Sequence, residues 1–211
     1  MRIIVRGKPW NYWNNNPESL SLMFEKNRIT MDKIQIYDKT FRKYITYDEL
    51  SKAIDKVADK INADYKDHEG EPPMFLCVLN GAIMFTSEMM KRLNFNAELI
   101  SIKVKSYTGT TSSGTVLIPM GLTGSVEGRD VILFEDIVDT GVTITSLQEL
   151  LISKGARSVK ICTMLFKPDV YKQSIKLDYV GMEVPNVFIL GFGLDYDELG
   201  RNLTDIYILD K

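Results

Sequence analysis

The sequence predicts an α/β protein: a mostly parallel, doubly wound sheet with helices on both faces and a small hood. Three observations predict it. Apolar runs at residues 74–79, 131–134 and 159–166 are continuous rather than alternating, the pattern of strands buried on both faces. Segments of helical period separate them, giving the strand–helix alternation of parallel sheets. The turns from strand to helix carry glycine, at Gly81 and Gly141, and sit where such sheets bind ligands.

Taken in order, residues 1–30 give no usable period. Trp10, Tyr12, Trp13 and the run Asn14-Asn15-Asn16-Pro17 break any pattern, although Leu20, Met23 and Phe24 would line one helical turn. Ile34 and Ile36 alternate with polar residues as in an edge strand. Thr46 and Glu49 have capping-box spacing, and the helix that follows puts Leu50, Ile54, Val57, Ala58 and Ile61 on one face. His68, the only histidine, lies in the polar run 66–70 and reads as a solvated loop residue, so histidine catalysis is not expected. The strand at 74–79 stops at Asn80-Gly81-Ala82, before a helix burying Phe85, Met89 and Leu93. A third strand is expected at 97–104. The small, polar tract 105–114 reads as a long hairpin loop, with residues 116–118 as the returning arm.

The central stretch runs Val131-Ile132-Leu133-Phe134-Glu135-Asp136-Ile137-Val138-Asp139-Thr140-Gly141-Val142-Thr143. A buried strand is expected to end at the two acids. A turn with a third acid follows, then a helix with Ile144, Leu147, Leu150 and Leu151 on one face, Lys154 in its last turn and Gly155 ending it. This geometry presents backbone N–H groups to an anion. Gly141 allows close approach of a phosphate, and Thr140 and Thr143 add hydroxyl donors. Three carboxylates would repel a bare phosphate. They suit a ligand that also carries hydroxyl groups, or one that arrives with a divalent metal; a phosphorylated sugar with Mg²⁺ meets both conditions. The Asn80-Gly81 turn is a second, weaker anion candidate of the same type. Beyond the strand at 159–166 come Lys167-Pro168, apolar segments at 179–182 and 187–191, and an acidic turn at 195–198 before Arg201. The early strand and the segment after Lys167 are expected to form the hood over the carboxyl edge of the sheet.

The run Glu135-Asp136-Ile137-Val138-Asp139-Thr140-Gly141-Val142-Thr143 resembles the phosphoribosyl-pyrophosphate (PRPP) motif of type I phosphoribosyltransferases, and Asp139 points to the hypoxanthine-guanine branch. The resemblance covers residues 32–211, with several motifs in the family's order. It implies purine salvage: transfer of 5-phosphoribosyl from Mg²⁺-bound PRPP to N9 of hypoxanthine or guanine, giving IMP or GMP and pyrophosphate. It assigns the 5′-phosphate to Asp139, Thr140, Gly141, Val142 and Thr143, and the ribose hydroxyls and metal side to Glu135 and Asp136. Pyrophosphate falls to Asn80, Gly81 and Arg201, with a cis peptide at Leu79–Asn80; many relatives carry Lys where this chain has Asn80. Ser106 and Tyr107 would belong to a lid. Lys167 would donate to the purine O6, Phe188 would stack on the ring and the Ile189 carbonyl would accept from N1–H or the 2-amino group. Asp195 would serve a second Mg²⁺, and Asp139 would be the general base for the N7 proton. Met31 resembles a natural start for the family, which leaves residues 1–30 as either an extension to a domain of residues 31–211 or the product of a start assigned too far upstream. A homo-oligomer, dimer or tetramer, is expected.

Composition bounds the alternatives. The 211 residues, 45% hydrophobic, suit one domain with a substantial core. An RNA-binding regulator on the same fold would need a basic face, which a net charge of −2 disfavours, and no nucleic-acid partner is expected. A transferase for another base, such as xanthine, differs only in recognition at C2. Cys77 and Cys162 lie in apolar strands without metal-ligand spacing and read as reduced core thiols of a cytoplasmic protein. No apolar stretch approaches the ~20 residues needed to cross a bilayer, so no membrane partner is expected. Arg2 and Arg6 are not followed by the apolar run of a signal peptide.

Overall fold

The computed structural model describes residues 4–5, 8–9, 32–106 and 116–210; for 4–5, 8–9, 105–106 and 116–120 it describes the backbone alone. The chain divides into two units, Met1–Ile34 and Gln35–Lys211. In the first, β1 (Ile4–Val5) and β2 (Lys8–Pro9) pair antiparallel. The remaining strands form two sheets. One is four-stranded: β3 (Lys33–Ile36), β4 (Lys39–Ile45), β11 (Ile189–Leu190) and β12 (Ile206–Leu209), in the order β11-β12-β4-β3. The other contains β5 (Met74–Leu79), β6 (Glu98–Ser106), β7 (Val116–Met120), β8 (Asp130–Val138), β9 (Ser158–Phe166) and β10 (Tyr179–Glu183), in the order β10-β9-β8-β5-β6-β7. All its neighbours run parallel except β7, which returns antiparallel along β6 as the expected hairpin arm.

Helices cover both faces of the larger sheet. Helix α1 (Tyr47–Asp64) starts from the capping box read in the sequence: the Glu49 N–H donates to Thr46 Oγ1 at 3.3 Å, and the Thr46 N–H donates to Glu49 Oε2 at 2.8 Å. Every residue expected on its apolar face is buried. Helix α2 (Ile83–Met90) buries Phe85 and Met89, while Leu93 lies beyond its end and packs at the edge of the same core. These two helices meet Phe75, Ile132, Phe134, Cys162 and Met164 on one face of the sheet. Helix α3 (Val142–Ser153) lays Ile144, Leu147 and Leu151 against Leu76, Val131, Leu133 and Ile161 on the other, with Leu150 half-buried at the margin. It ends at Lys154 with Gly155 at φ +85°, the left-handed stop that glycine adopts without a Cβ clash.

Four details differ from the sequence reading. β8 does not end at Phe134 but runs through the acids to Val138, because β9 continues to pair with it as far as Val138↔Phe166. The segment after Lys167 is not all hood: β10 joins the edge of the larger sheet, parallel to β9. It is drawn there by the Ile161 N–H, which donates to Asp178 Oδ2 (2.9 Å), and by the Tyr179 hydroxyl, which donates to Asp64 (2.5 Å). Strands β4 and β12 were not read from the sequence. His68 is not simply solvated, since Nε2 lies 2.8 Å from the Glu71 carbonyl and the ring sits 5.4 Å from Tyr65. Cys77 and Cys162 are free and buried, and burial pushes both thiols up from their ordinary pKa.

Candidate functional site

The site begins where two ladders end at different depths. β5 pairs with β8 only as far as Cys77↔Phe134, whereas β9 pairs with β8 to Val138. Glu135 and Asp136 therefore keep backbone support from one neighbour while the other strand turns away at Asn80 and Gly81. Beyond that point opens a cleft of about 210 Å³, lined by Glu135, Asp136, Val138, Asp139, Gly141 and Thr143 among others.

The two acids are crowded. Glu135 is 8% exposed and its Oε2 is buried without a hydrogen-bond partner. Asp136 Oδ1 accepts from the Ile137 N–H at 2.8 Å, and its carboxylate rests on the Cα of Gly81, where a Cβ would have no room. Burial raises the pKa of Glu135 well above the usual carboxylate range, and the neighbouring Asp136 charge adds to the rise. Burial raises Asp136 as well, against the pull of its hydrogen bonds and of the Arg201 charge. Two carboxylates so placed favour a ligand that brings donors or positive charge. Among the described residues no group of three or more His, Cys, Asp or Glu side chains could hold a metal ion. A metal here would need one or two carboxylates and the ligand's own oxygens, the arrangement Mg²⁺ commonly takes.

Next in the chain is the turn into α3. Asp139 is exposed, and its Oδ1 accepts from the Thr140 N–H at 2.5 Å. Gly141, at φ +80°, is the residue from which the helix starts, and no side chain caps the first turn. The leading N–H groups of α3 are thus not engaged by a capping side chain and face the region of Asp139 and Thr143.

The second turn packs against Asp136. The Leu79–Asn80 peptide is cis, as the resemblance implied, and Gly81 leads into α2. Gly193 packs its Cα on the Gly81 carbonyl, leaving no space for a Cβ. Arg201 Nη1 donates to the Gly193 carbonyl at 2.9 Å, so the guanidinium is tied to the same turn. Its Nη2 lies 2.8 Å from Asp195 Oδ1 and 3.3 Å from Glu198 Oε2, while Nε is buried without a hydrogen-bond partner.

The remaining residues come from the end of β9, from the smaller sheet and the turn that follows β11, and from the end of β6. Lys167 follows β9, and its N–H donates to the Val138 carbonyl (2.9 Å), which sets it beside Asp139 just past the ends of two adjacent strands. Phe188, 45% exposed, stands nearly perpendicular to the Tyr196 ring at 5.7 Å and lies 6.1 Å from Phe41. Ile189 is buried in β11, opposite Ile208. Asp195 is ion-paired with Arg201 and accepts from the Glu198 N–H at 2.8 Å. Ser106 closes β6, and the rest of the expected lid, Tyr107 included, falls outside the described residues. Gly193 and Tyr196 were not picked out from sequence as site residues. A glycine two positions before an acid is the one local hint of the former.

Fold and site together define an α/β protein with two anion-directed turns at the carboxyl edge of a parallel sheet and an acidic pair between them. Residues 46–197 match the family described as "Phosphoribosyl transferase domain". The hypoxanthine-guanine phosphoribosyltransferase of Bacillus subtilis (strain 168) is 40% identical over 166 residues, 78% of this chain and 91% of that protein. The bifunctional protein TilS/HprT of Listeria innocua serovar 6a is 44% identical over the same share of this chain, which spans 25% of that longer protein. A solved hypoxanthine phosphoribosyltransferase from Staphylococcus aureus superposes with a TM-score of 0.74 at 36% identity, covering 80% of this chain and 91% of that one. The chain belongs to the phosphoribosyl transferase domain family, and with it to the phosphoribosyltransferases.

Proposed function

We propose that this protein transfers the 5-phosphoribosyl group of PRPP to N9 of hypoxanthine or guanine, releasing pyrophosphate and forming IMP or GMP in purine salvage. The observation that carries the reading is the meeting of the Asp139–Thr143 turn and the Glu135–Asp136 pair around one cleft, with the Gly81 turn packed on the Asp136 carboxylate. Residues 139–143 cradle the 5′-phosphate through N–H and hydroxyl groups. Glu135 and Asp136 accept from the ribose 2′- and 3′-hydroxyls, which satisfies the partnerless Glu135 Oε2. Asn80, Gly81 and Arg201 hold pyrophosphate, and Arg201 exchanges its Asp195 and Glu198 partners for phosphate oxygens.

The C1–O bond to pyrophosphate breaks as the N9–C1 bond forms, with positive charge on the ribose between them, as in glycosyl transfer generally. Holding the three groups in line and excluding water is the protein's main task. Asp139 takes the N7 proton as N9 attacks. Lys167 donates to O6, Phe188 covers the ring and the Ile189 carbonyl accepts from the purine's far edge. The residues present fit Mg²⁺: Glu135 and Asp136, with Asp195 at the pyrophosphate side, are hard oxygen donors that would share it with ligand oxygens. When bound it supplies charge neutralisation of the leaving pyrophosphate. We further assign residues 1–30 to an extension outside catalysis, the protein to the cytoplasm and its active form to a homo-oligomer. No helix among the described residues is long and apolar enough to cross a membrane. The decisive experiment is an assay with PRPP, Mg²⁺ and five bases: hypoxanthine, guanine, xanthine, adenine and orotate. Turnover with hypoxanthine and guanine is expected; turnover confined to xanthine, adenine or orotate would reassign the substrate.

A further inference from the structure

We infer, resting on the reading of residues 139–143 as the phosphate cradle, that residues 167–175 form a strap positioning that cradle and Asp139 from behind. Tyr171 is its bearing residue. The strap is stapled to the turn at two points: the Lys167 N–H donates to the Val138 carbonyl at 2.9 Å, and the Lys172 N–H reaches the Thr140 carbonyl at 3.5 Å. Those two carbonyls flank Asp139. Between the staples, a 3₁₀ turn (Pro168–Val170) brings the chain back, closed by the Tyr171 N–H donating to the Pro168 carbonyl at 3.3 Å.

This return sets the Tyr171 ring against Gly141. A Cβ at Gly141 would lie 2.5 Å from Tyr171 Cε2 and 2.7 Å from Gln173 Cγ, so the ring and the Gln173 stem form a wall on the glycine's open side. The ring itself is held. Its hydroxyl donates to the Ile175 carbonyl at 2.6 Å, and its ring stands nearly perpendicular to that of Phe166, with centroids 5.2 Å apart. Phe166 is the ladder partner of Val138, so the wall is anchored to the strand that delivers Asp139.

The need for such a wall follows from the turn. Gly141 carries no side chain, the first turn of α3 has no side-chain cap, and Asp139 is exposed with one hydrogen bond to its own neighbour. Among the described residues, the side-chain hydrogen bond that reaches Gly141 comes from Thr145 of the helix itself, to the Gly141 carbonyl at 2.9 Å. The strap fixes the cradle from outside, and because it starts at Lys167 it carries the purine-facing lysine and the phosphate wall on one short segment. Misplacing a reacting group by about 1 Å can cost ~10²-fold in rate, so a loss of Tyr171 is felt in catalysis although it touches no substrate.

The test uses the full-length protein with Tyr171→Ala, Tyr171→Phe and Thr143→Ala. The readouts are kcat, KM for PRPP, the dissociation constant of ribose 5-phosphate and the inhibition constant of inorganic pyrophosphate. For Tyr171→Ala, ribose 5-phosphate should weaken by about tenfold and kcat should fall, while pyrophosphate, bound at the other turn, stays within about twofold. Tyr171→Phe keeps the ring and should restore ribose 5-phosphate binding to within about threefold of the parent. Equal weakening of both ligands would mean general destabilisation and overturn the positioning role. If Thr143→Ala weakens ribose 5-phosphate and Tyr171→Ala does not, the strap fails and the cradle stands; if neither does, the cradle reading fails and the strap with it. Should Tyr171→Ala not fold, Tyr171→Leu, which keeps apolar bulk, is read by the same criteria.

Discussion

Gly81→Ala probes the contact on which the cleft is built. The φ of Gly81 is not in the left-handed region, so alanine is acceptable to the backbone, and the cost comes from space alone. A Cβ there overlaps the Asp136 carboxylate, which cannot swing freely because Oδ1 is held by the Ile137 N–H. On the opposite side the Gly81 carbonyl is already pressed by Gly193. Overpacking of a filled interior costs about 1–3 kcal/mol. For a domain of this size each kcal/mol moves Tm by about 2–4 °C, so a drop on the order of 2–12 °C is expected. The displaced Asp136 no longer meets the ribose side correctly, and kcat/KM should fall by about tenfold to a hundredfold. Gly121→Ala is the control: nothing lies within 4 Å of its Cβ position. It should change stability by no more than about 0.5 kcal/mol. Thermal unfolding and steady-state kinetics on the two variants decide the matter. If Gly81→Ala matches Gly121→Ala in Tm and keeps the parent's kcat/KM, Asp136 does not rest on that turn.

Asp139→Asn should lower kcat by ~10²–10⁴-fold, the usual worth of a general base, with a much smaller change in PRPP binding; kcat within twofold of the parent would remove the base role. Lys167→Met should lose efficiency with hypoxanthine and guanine while narrowing their advantage over adenine, because an ammonium donates and the adenine 6-amino group offers it no acceptor. Values of kcat/KM for the three bases in both proteins check this, and adenine turnover equal to hypoxanthine in the parent would refute it. Asp130 lies far from the cleft at the start of β8, and the Arg157 guanidinium with the Ser158 hydroxyl holds its pKa down at about 2. A depressed pKa stabilises above the unfolded value near 3.8 and ceases to as pH falls through the folded one. The parent should therefore outlast Asp130→Asn in urea at neutral pH, with the gap closing as pH falls from about 4 towards 2 and no change in kcat. A chain starting at Met31 should retain turnover, and a folded but inactive truncation would bring residues 1–30 into the site.

What could be read from sequence was local or contiguous. The Thr46–Glu49 box and the apolar face of α1 obey spacings of three and four residues, and both are present in the structure. The Asp139–Thr143 turn could be recognised because its donors lie in one unbroken run. By contrast, the contacts of Asp136 with Gly81, Gly81 with Gly193 and Gly141 with Tyr171 join residues 30 to 112 positions apart and leave no periodic trace. The segment 179–183 has the same apolar character whether it pairs with β9 or with the smaller sheet; Asp178 and Tyr179, reaching Ile161 and Asp64, decide it. The extent of β8 was misjudged for a related reason. Acids end an apolar run in sequence, but a ladder ends only where its partner does, and β9 does not end there.

That distinction explains how a buried acidic pair is placed without breaking the fold. A carboxylate in the middle of a parallel sheet would face apolar layers on both sides and lose its solvation without return. Just past the last β5–β8 pair, the strand backbone is still secured by β9, yet the Asp136 side chain meets a cleft and a glycine instead of a paired strand. The desolvation cost remains, visible in the raised pKa of Glu135 and Asp136, and the Arg201 charge offsets only part of it at Asp136. Ligand hydroxyls or a cation shared with ligand oxygens would relieve the rest. The unequal ends of two neighbouring ladders thus do two things together: they make room for a ligand, and they leave the pair in a state that the ligand improves.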